Sequence, residues 1–333
     1  MIATTYGEPE EFELLRREWD GLIERDPAAT VFSRPEYLST WWEHFGAGRE
    51  LALVAIREGE ALRGIAPLYF ERVVGRERMR FAGDPEVTDY LGITCAPEDR
   101  AEVVGVVLDV LLERRDWDRL EAGGLSADSG WPDLIADVGR SRSLRVERGV
   151  DDVCPRILLG AGFDGYLAGL PGRLRHEMTR KLRRFERETG GYTVRTSTPE
   201  RLAGDLEVFA RLHRTSAGEK GGFLDGGMET FFRKLAIRLG VPDPVRVDLL
   251  ETSAGPAAVT FSFRYGLTLG LYNSAFDRSL GPLAPGLVLV TELVRHAALE
   301  GLGVFDFLRG SEEYKYRFGA TDMPVYRLVL SRG

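Results

Sequence analysis

Residues 269–319 read LGLYNSAFDRSLGPLAPGLVLVTELVRHAALEGLGVFDFLRGSEEYKYRFG. A strand ending near Phe276 runs into a Gly/Pro loop, Leu280–Gly286, and the loop opens into an apolar-faced helix over about 285–300. A strand at 304–308, a short helical turn at 311–319 and a closing strand VYRLVLS follow. A helix that starts this way leaves backbone N–H groups and the positive end of its dipole facing outward, which suits a diphosphate. Glycines in the loop let such a group approach the backbone closely.

Upstream, VRVDLLETSAGPAAVTFSFRYGLTLGLYNSAF holds three strands with turns at SAGP and RYG. Before it come a long basic helix (RLRHEMTRKLRRFERETGG) and helices around 199–217 and 227–239. The first half has the same order. A helix over 9–25 and a second, aromatic-rich helix introduced by Ser33 as N-cap precede the hairpin LALVAIREG/ALRGIAPLYFERV. A strand near DYLGITC, a helix over 97–114, a strand near DRLEAGGL and a helix near PDLIADV complete it. GIAPLYF (64–70) aligns in pattern with GPAAVTFSF (255–263), which points to a duplicated fold. The expected class is α+β, in two domains, 1–155 and 156–333, each a mixed, mostly antiparallel sheet flanked by helices.

The totals agree with two soluble domains. The chain has 333 residues, 44% hydrophobic and 29% charged. No basic stretch with a following apolar run opens it, and no segment reaches the roughly 18 apolar residues of a membrane helix, so a cytoplasmic location is expected. Cys95 and Cys154 lie far apart and the four histidines are scattered, so neither a disulfide framework nor a metal is expected. A formal charge of −8 excludes a surface basic throughout. One local exception is the basic helix, where Arg173, Arg175, Arg180, Lys181, Arg183, Arg184 and Arg187 outnumber Glu177, Glu186 and Glu188.

Four stretches carry a family resemblance: FSRPEYLSTWWEHFG (32–46), GIAPLYF (64–70), Pro285-Gly286, and FDFLRGSEEYKYRFG (305–319), the last being the most specific. The chain resembles the GNAT-like acetyltransferases associated with cellulose biosynthesis (the CelD/BcsL type), which are similar to the FemABX peptidyltransferases. One departure is visible. The general GNAT phosphate loop reads Arg/Gln-x-x-Gly-x-Gly/Ala, whereas here Arg278-x-x-Gly281-x is followed by Leu283.

The resemblance implies two tandem GNAT-like (acyl-CoA N-acyltransferase) domains, with acetyl-CoA or another acyl-CoA as co-substrate in the second; the equivalent stretch of the first, CAPEDRAEVVGVVLDVLLE, lacks a glycine-rich helix entry and is expected to hold none. Asn273, Ser274, Arg278, Gly281, Pro285 and Gly286 fall where coenzyme A would be held. Direct transfer to an amine needs a base, a donor to the developing oxyanion and an acid for the departing thiolate. Backbone N–H groups near Tyr272–Ser274 match the second need and Tyr314 the third, with Tyr272 as second choice. Glu219, in the polar stretch SAGEKGGFLDGG, is the candidate base, with Asp225, Glu312, Glu313 and His213 competing. Lys315, Arg317 and Arg309 are candidate contacts to an anionic substrate, and Asp306 a candidate turn cap. The implied activity is acetyl transfer to an amine or hydroxyl of a sugar-derived or envelope-related acceptor, as in polysaccharide biosynthesis. Two alternatives stay open: an aminoacyl-tRNA-dependent FemABX-like transferase, with tRNA as a partner, and a non-catalytic interaction or carbohydrate-binding module.

Overall fold

The computed structural model describes residues 1–73, 75–84, 87–114, 117–215 and 226–332. The chain forms two units, Met1–Val153 with Met323–Gly333, and Cys154–Asp322. In order, the first half contains β1 (Ile2–Tyr6), α1 (Glu11–Leu14), α2 (Arg16–Ile23), α3 (Pro35–Phe45), β2 (Glu50–Glu58), β3 (Ala61–Val73), β4 (Arg76–Phe81), β5 (Thr94–Cys95), α4 (Arg100–Glu113), β6 (Arg119–Ser126), α5 (Trp131–Ser141) and β7 (Leu144–Leu158). The second half contains α6 (Gly162–Gly169), α7 (Gly172–Thr189), β8 (Thr193–Thr196), α8 (Leu202–Arg214), α9 (Gly226–Leu239), β9 (Val245–Thr252), β10 (Gly255–Tyr265), β11 (Thr268–Phe276), α10 (Pro285–Leu299), β12 (Val304–Asp306), α11 (Glu313–Tyr316) and β13 (Thr321–Arg332).

The two units repeat one topology. In the first, β1-β2-β3-β4 is an antiparallel meander, β4 pairs parallel with β6, and β6 pairs antiparallel with β13. In the second, β8-β9-β10-β11 is the meander, β11 pairs parallel with β12, and β12 pairs antiparallel with the end of β7. GIAPLYF and GPAAVTFSF therefore sit on equivalent third strands, β3 and β10. The final strand, expected within the second half, falls with the first unit from Met323 onward. The stretch 150–165, expected to be a loose junction, is largely β7.

Local chemistry explains most boundaries. The expected helix over 9–25 is broken at Leu15 into α1 and α2, but Phe12, Trp19, Leu22 and Ile23 still form its buried face. Ser33 does not cap α3. It closes a capping box with Thr30 around a one-turn 3₁₀ helix at 31–33, and α3 begins at Pro35, where the missing N–H costs nothing. The strand expected near DYLGITC shortens to Thr94–Cys95. The first core packs β2, β3, β4 and β6 under α4 and α5, including Met79, Leu120, Val103 and Ile135. The second packs β10, β11 and β12 against α7 and α10, whose Leu289 and Leu293 are fully buried. Burial of each such leucine stabilises by about 1.5–3 kcal/mol. Both cysteines are buried free thiols, and burial pushes the Cys95 thiol up to about 12. No helix among the described residues is long and apolar enough to cross a membrane.

Candidate active site in the second unit

β11 is the strand on which the site is built. It leaves β10 through the two-residue turn Gly266-Leu267, with Gly266 at φ 54°. Pairing with β10 then slips by one residue: Ser262 faces Leu271, whereas Phe261 faces Asn273, so Tyr272 is the extra residue of a β-bulge. On its other side β11 pairs with β12 only at Thr268↔Val304, Leu269↔Phe305 and Gly270↔Asp306. From Leu271 to Phe276 the strand continues with no ladder partner on that side among the described residues. Two neighbouring strands that begin parallel and then part leave an edge of backbone N–H and C=O groups open to an extended ligand.

The parting has a visible cause in the signature FDFLRGSEEYKYRFG. Asp306, 1% exposed, ends β12: one carboxylate oxygen accepts from Leu308 N–H at 2.7 Å, and the other from Arg156 Nε at 2.8 Å. Phe307 N–H turns to the Pro155 carbonyl (2.9 Å). Leu308 and Gly310 take φ of 56° and 108°, a left-handed path that is strained for leucine. Lys315 fixes this turn. Its Nζ donates to the carbonyls of Leu308 (3.1 Å), Arg309 (2.8 Å) and Gly310 (2.8 Å), and pairs with Glu312 at 2.8 Å. Expected to meet an anionic substrate, Lys315 is instead 2% exposed with its N–H groups directed at the main chain.

Past Phe276, the expected Gly/Pro loop is a 3₁₀ helix at 278–283, capped by Asp277, whose carboxylate accepts from Ser279 N–H (2.9 Å) and from Ser279 Oγ (2.7 Å). Ala284, at φ 55°, turns the chain into α10 with Pro285 in the first turn and no side-chain cap among the described residues. Ala284 N–H donates to the Gly281 carbonyl (2.9 Å) and Leu287 N–H to the Ala284 carbonyl (3.0 Å), and Pro285 has no N–H, so Gly286 N–H is the donor that the first turn of α10 leaves for an anion. Space is restricted at one point. A Cβ built on Gly286 would lie 3.3 Å from Phe276 Cδ1, whereas one on Gly281 meets nothing within 4 Å. Arg278 is exposed and reaches the Thr215 carbonyl only at 3.5 Å. Asn273 Oδ1 accepts from Ser274 N–H at 2.7 Å, which occupies one of the amides expected to face a developing oxyanion. An open strand edge for an amide-bearing arm and an uncapped helix start for a diphosphate fit coenzyme A.

The Tyr314 ring meets Phe307 edge-on at 6.1 Å, and burial, reinforced by the nearby Glu312 charge, pushes its hydroxyl well above the ordinary phenol range. Tyr272 packs in an aromatic cluster with Phe232, Phe261 and Phe263. Arg317 is half-exposed and pairs with Glu313 at 2.9 Å; Arg309 is half-buried beside the pinned turn. His213 is buried against Phe209. Glu219 and Asp225 lie outside the described residues. Among the described residues, no group of three or more His, Cys, Asp or Glu side chains is placed to hold a metal.

Two features escaped the sequence reading. Arg156, partner of Asp306, stands 150 residues away and carries no local signal. The second is a polar row across the sheet, in which Thr196, Asp248, Thr260 and Ser274 are in register on four successive strands. Asp248 is fully buried, and that burial raises its carboxyl despite Arg246 beside it. Thr260 Oγ1 and Ser262 Oγ, both buried, have no hydrogen-bond partner among the described residues. Their alternation in AVTFSF was the available signal.

Residues 172–316 match the family model described as acetyltransferase (GNAT) domain. That match lies wholly within the second unit. Curated proteins gave no sequence match. Among solved structures, FemX aligns with a TM-score of 0.68 at 12% identity, covering 98% of this chain and 97% of FemX. A conserved protein of unknown function from Bacteroides thetaiotaomicron aligns at 0.63 and 11%, covering 99% and 100%. L-PGS from Bacillus licheniformis aligns at 0.59 and 12%, covering 95% and 91%. At these identities the likeness is one of fold: tandem GNAT-like halves of the FemX type.

Proposed function

We propose that the second unit is an acyl-CoA-dependent acyltransferase, moving an acetyl group to an amine or hydroxyl of a sugar-derived or envelope-related acceptor. The observation that carries this reading is the edge of β11 from Leu271 to Phe276, which among the described residues is unpaired on the β12 side and leads to a start of α10 without a side-chain cap. When bound, acyl-CoA supplies an acyl group activated as a thioester. The β11 edge holds the amide-bearing arm by strand-like hydrogen bonds, and the Gly286 N–H faces the diphosphate at a position where a side chain would press on Phe276.

Asp306 and Lys315 are positioning residues: they hold the turn that keeps β12 away from β11. Tyr314 donates the proton that the departing sulfur takes up, a proton that any phenol carries at neutral pH. Arg317 and Arg309 serve the acceptor side, and Glu219 is retained as base. The first unit binds no coenzyme A in this reading.

Release of free thiol from acetyl-CoA, measured across a panel of amino sugars and hydroxylated sugars, tests the reading. Turnover with one acceptor class is expected. Absence of turnover with every acceptor, together with absence of acetyl-CoA binding, would sink it.

A further inference from the structure

The outer face of α7 carries an arginine row that the acyl-transfer reading leaves unused. Arg173, His176, Arg180, Arg183, Arg184 and Arg187 are all exposed and recur at three- and four-residue intervals, so they lie along one side of the helix. Arg187 pairs with Glu188 at 2.8 Å. Arg173, Arg180, Arg183 and Arg184 make no ion pair among the described residues, and the neighbouring Lys181 consumes Glu177. The helix buries its apolar side: Met178 and Phe185 are in the core, and Leu182 packs against it. The formal charge of the whole chain is −8, so this row is a positive face on a protein whose remainder is more acidic still.

We infer that this face docks the protein on an anionic lipid bilayer. A basic row on an acidic body orients the molecule toward a negatively charged plane, row first. The chemistry favours headgroups over a nucleic acid. Apart from the single ring of His176 the row has no aromatic side chain to stack on bases, and it has no Asn or Gln to read adenine edges. Its arginines follow at unequal steps of seven, three, one and three residues from Arg173 to Arg187, which set no fixed repeat. Laterally mobile headgroups gather beneath such a row without needing one. With the apolar side of α7 buried, contact is electrostatic, reversible and sensitive to salt. This inference does not depend on the acyl-transfer reading.

Co-sedimentation of the full chain with phosphatidylcholine vesicles, with and without phosphatidylglycerol, tests it. Binding only to the anionic vesicles is expected, weakened roughly a hundredfold by R180Q/R183Q/R184Q, since each arginine near the surface contributes about a fivefold factor. Arg183→Glu alone, at an exposed site, provides a second variant, and unchanged thermal unfolding of both confirms folding. No binding of wild type to anionic vesicles, or binding that the substitutions leave unchanged, would overturn the inference. Tighter binding of a random-sequence RNA duplex than of vesicles, lost in the same variants, would overturn it in favour of a nucleic acid.

Discussion

Replacing Lys315 by Met separates a lysine that builds the site from one that touches a ligand. The side chain keeps similar length and apolar bulk but loses the ammonium that serves three main-chain carbonyls and Glu312. Each buried carbonyl stripped of its donor costs about 1–3 kcal/mol, and relief from burying a charge offsets part of the sum. The net expectation is about 3–5 kcal/mol, the usual cost of removing one side of a buried charged contact. At roughly 2–4 °C per kcal/mol for a unit of this size, the unfolding midpoint falls by about 10 °C. Lys315→Arg fares little better, because a planar guanidinium cannot point at three converging carbonyls as an ammonium does. Scanning calorimetry of both variants gives the shift, and acetyl-CoA binding well below the midpoint should weaken as the 308–310 turn loosens. An unchanged midpoint with binding or turnover lost would refute the reasoning and return Lys315 to the ligand.

Three further outcomes follow from named contacts. Tyr314→Phe should lower kcat about a hundredfold, the scale of one general-acid contribution, while acetyl-CoA affinity stays within a few-fold; an unchanged kcat in steady-state assays removes Tyr314 from the chemistry. Burial works to raise Asp205, but the paired hydrogen bonds from Arg195, both 2.7 Å, bring its carboxyl below the ordinary 3.8. Its contribution is therefore complete above that ordinary value and lost as pH falls through the lower folded one. Asp205→Asn should flatten the acid limb of stability against pH measured by urea unfolding, and an identical limb would contradict this. Asp306→Ala takes one carboxylate from part-buried Arg156 and leaves Leu308 N–H without its acceptor, so a loss of about 1–3 kcal/mol is expected by the same method.

Much of this architecture can be read from local pattern. The helix over 285–299 is announced by Pro285 and an apolar face, and the β9-β10-β11 meander by alternating residues between the SAGP and RYG turns. What local pattern does not carry is which strand lies beside which. β7 and β13 pair with strands far away in sequence, β13 with β6 more than 190 residues earlier by its register, so nothing near GVDDVCPRILL marks it as sheet rather than junction. The site shows the same division. The glycines and the helix start are legible, whereas the strand parting arises from Asp306 with Arg156 and from Lys315 folding back on its own turn. From sequence, YKYR looks like an exposed basic cluster, because burial of a lysine becomes visible only once the three carbonyls have been brought around it.

The central claim is that the start of α10 and the open edge of β11 hold the donor, and calorimetric titration of acetyl-CoA into wild type and Gly286→Asp tests it most directly. The aspartate adds a Cβ 3.3 Å from Phe276 and a negative charge where a diphosphate is proposed to sit. Gly281→Asp, with nothing within 4 Å of its Cβ, serves as a control for charge placed nearby without crowding. Wild-type binding at micromolar concentration, abolished by Gly286→Asp and only weakened by Gly281→Asp, is the predicted result. Equal binding by wild type and Gly286→Asp would contradict the account.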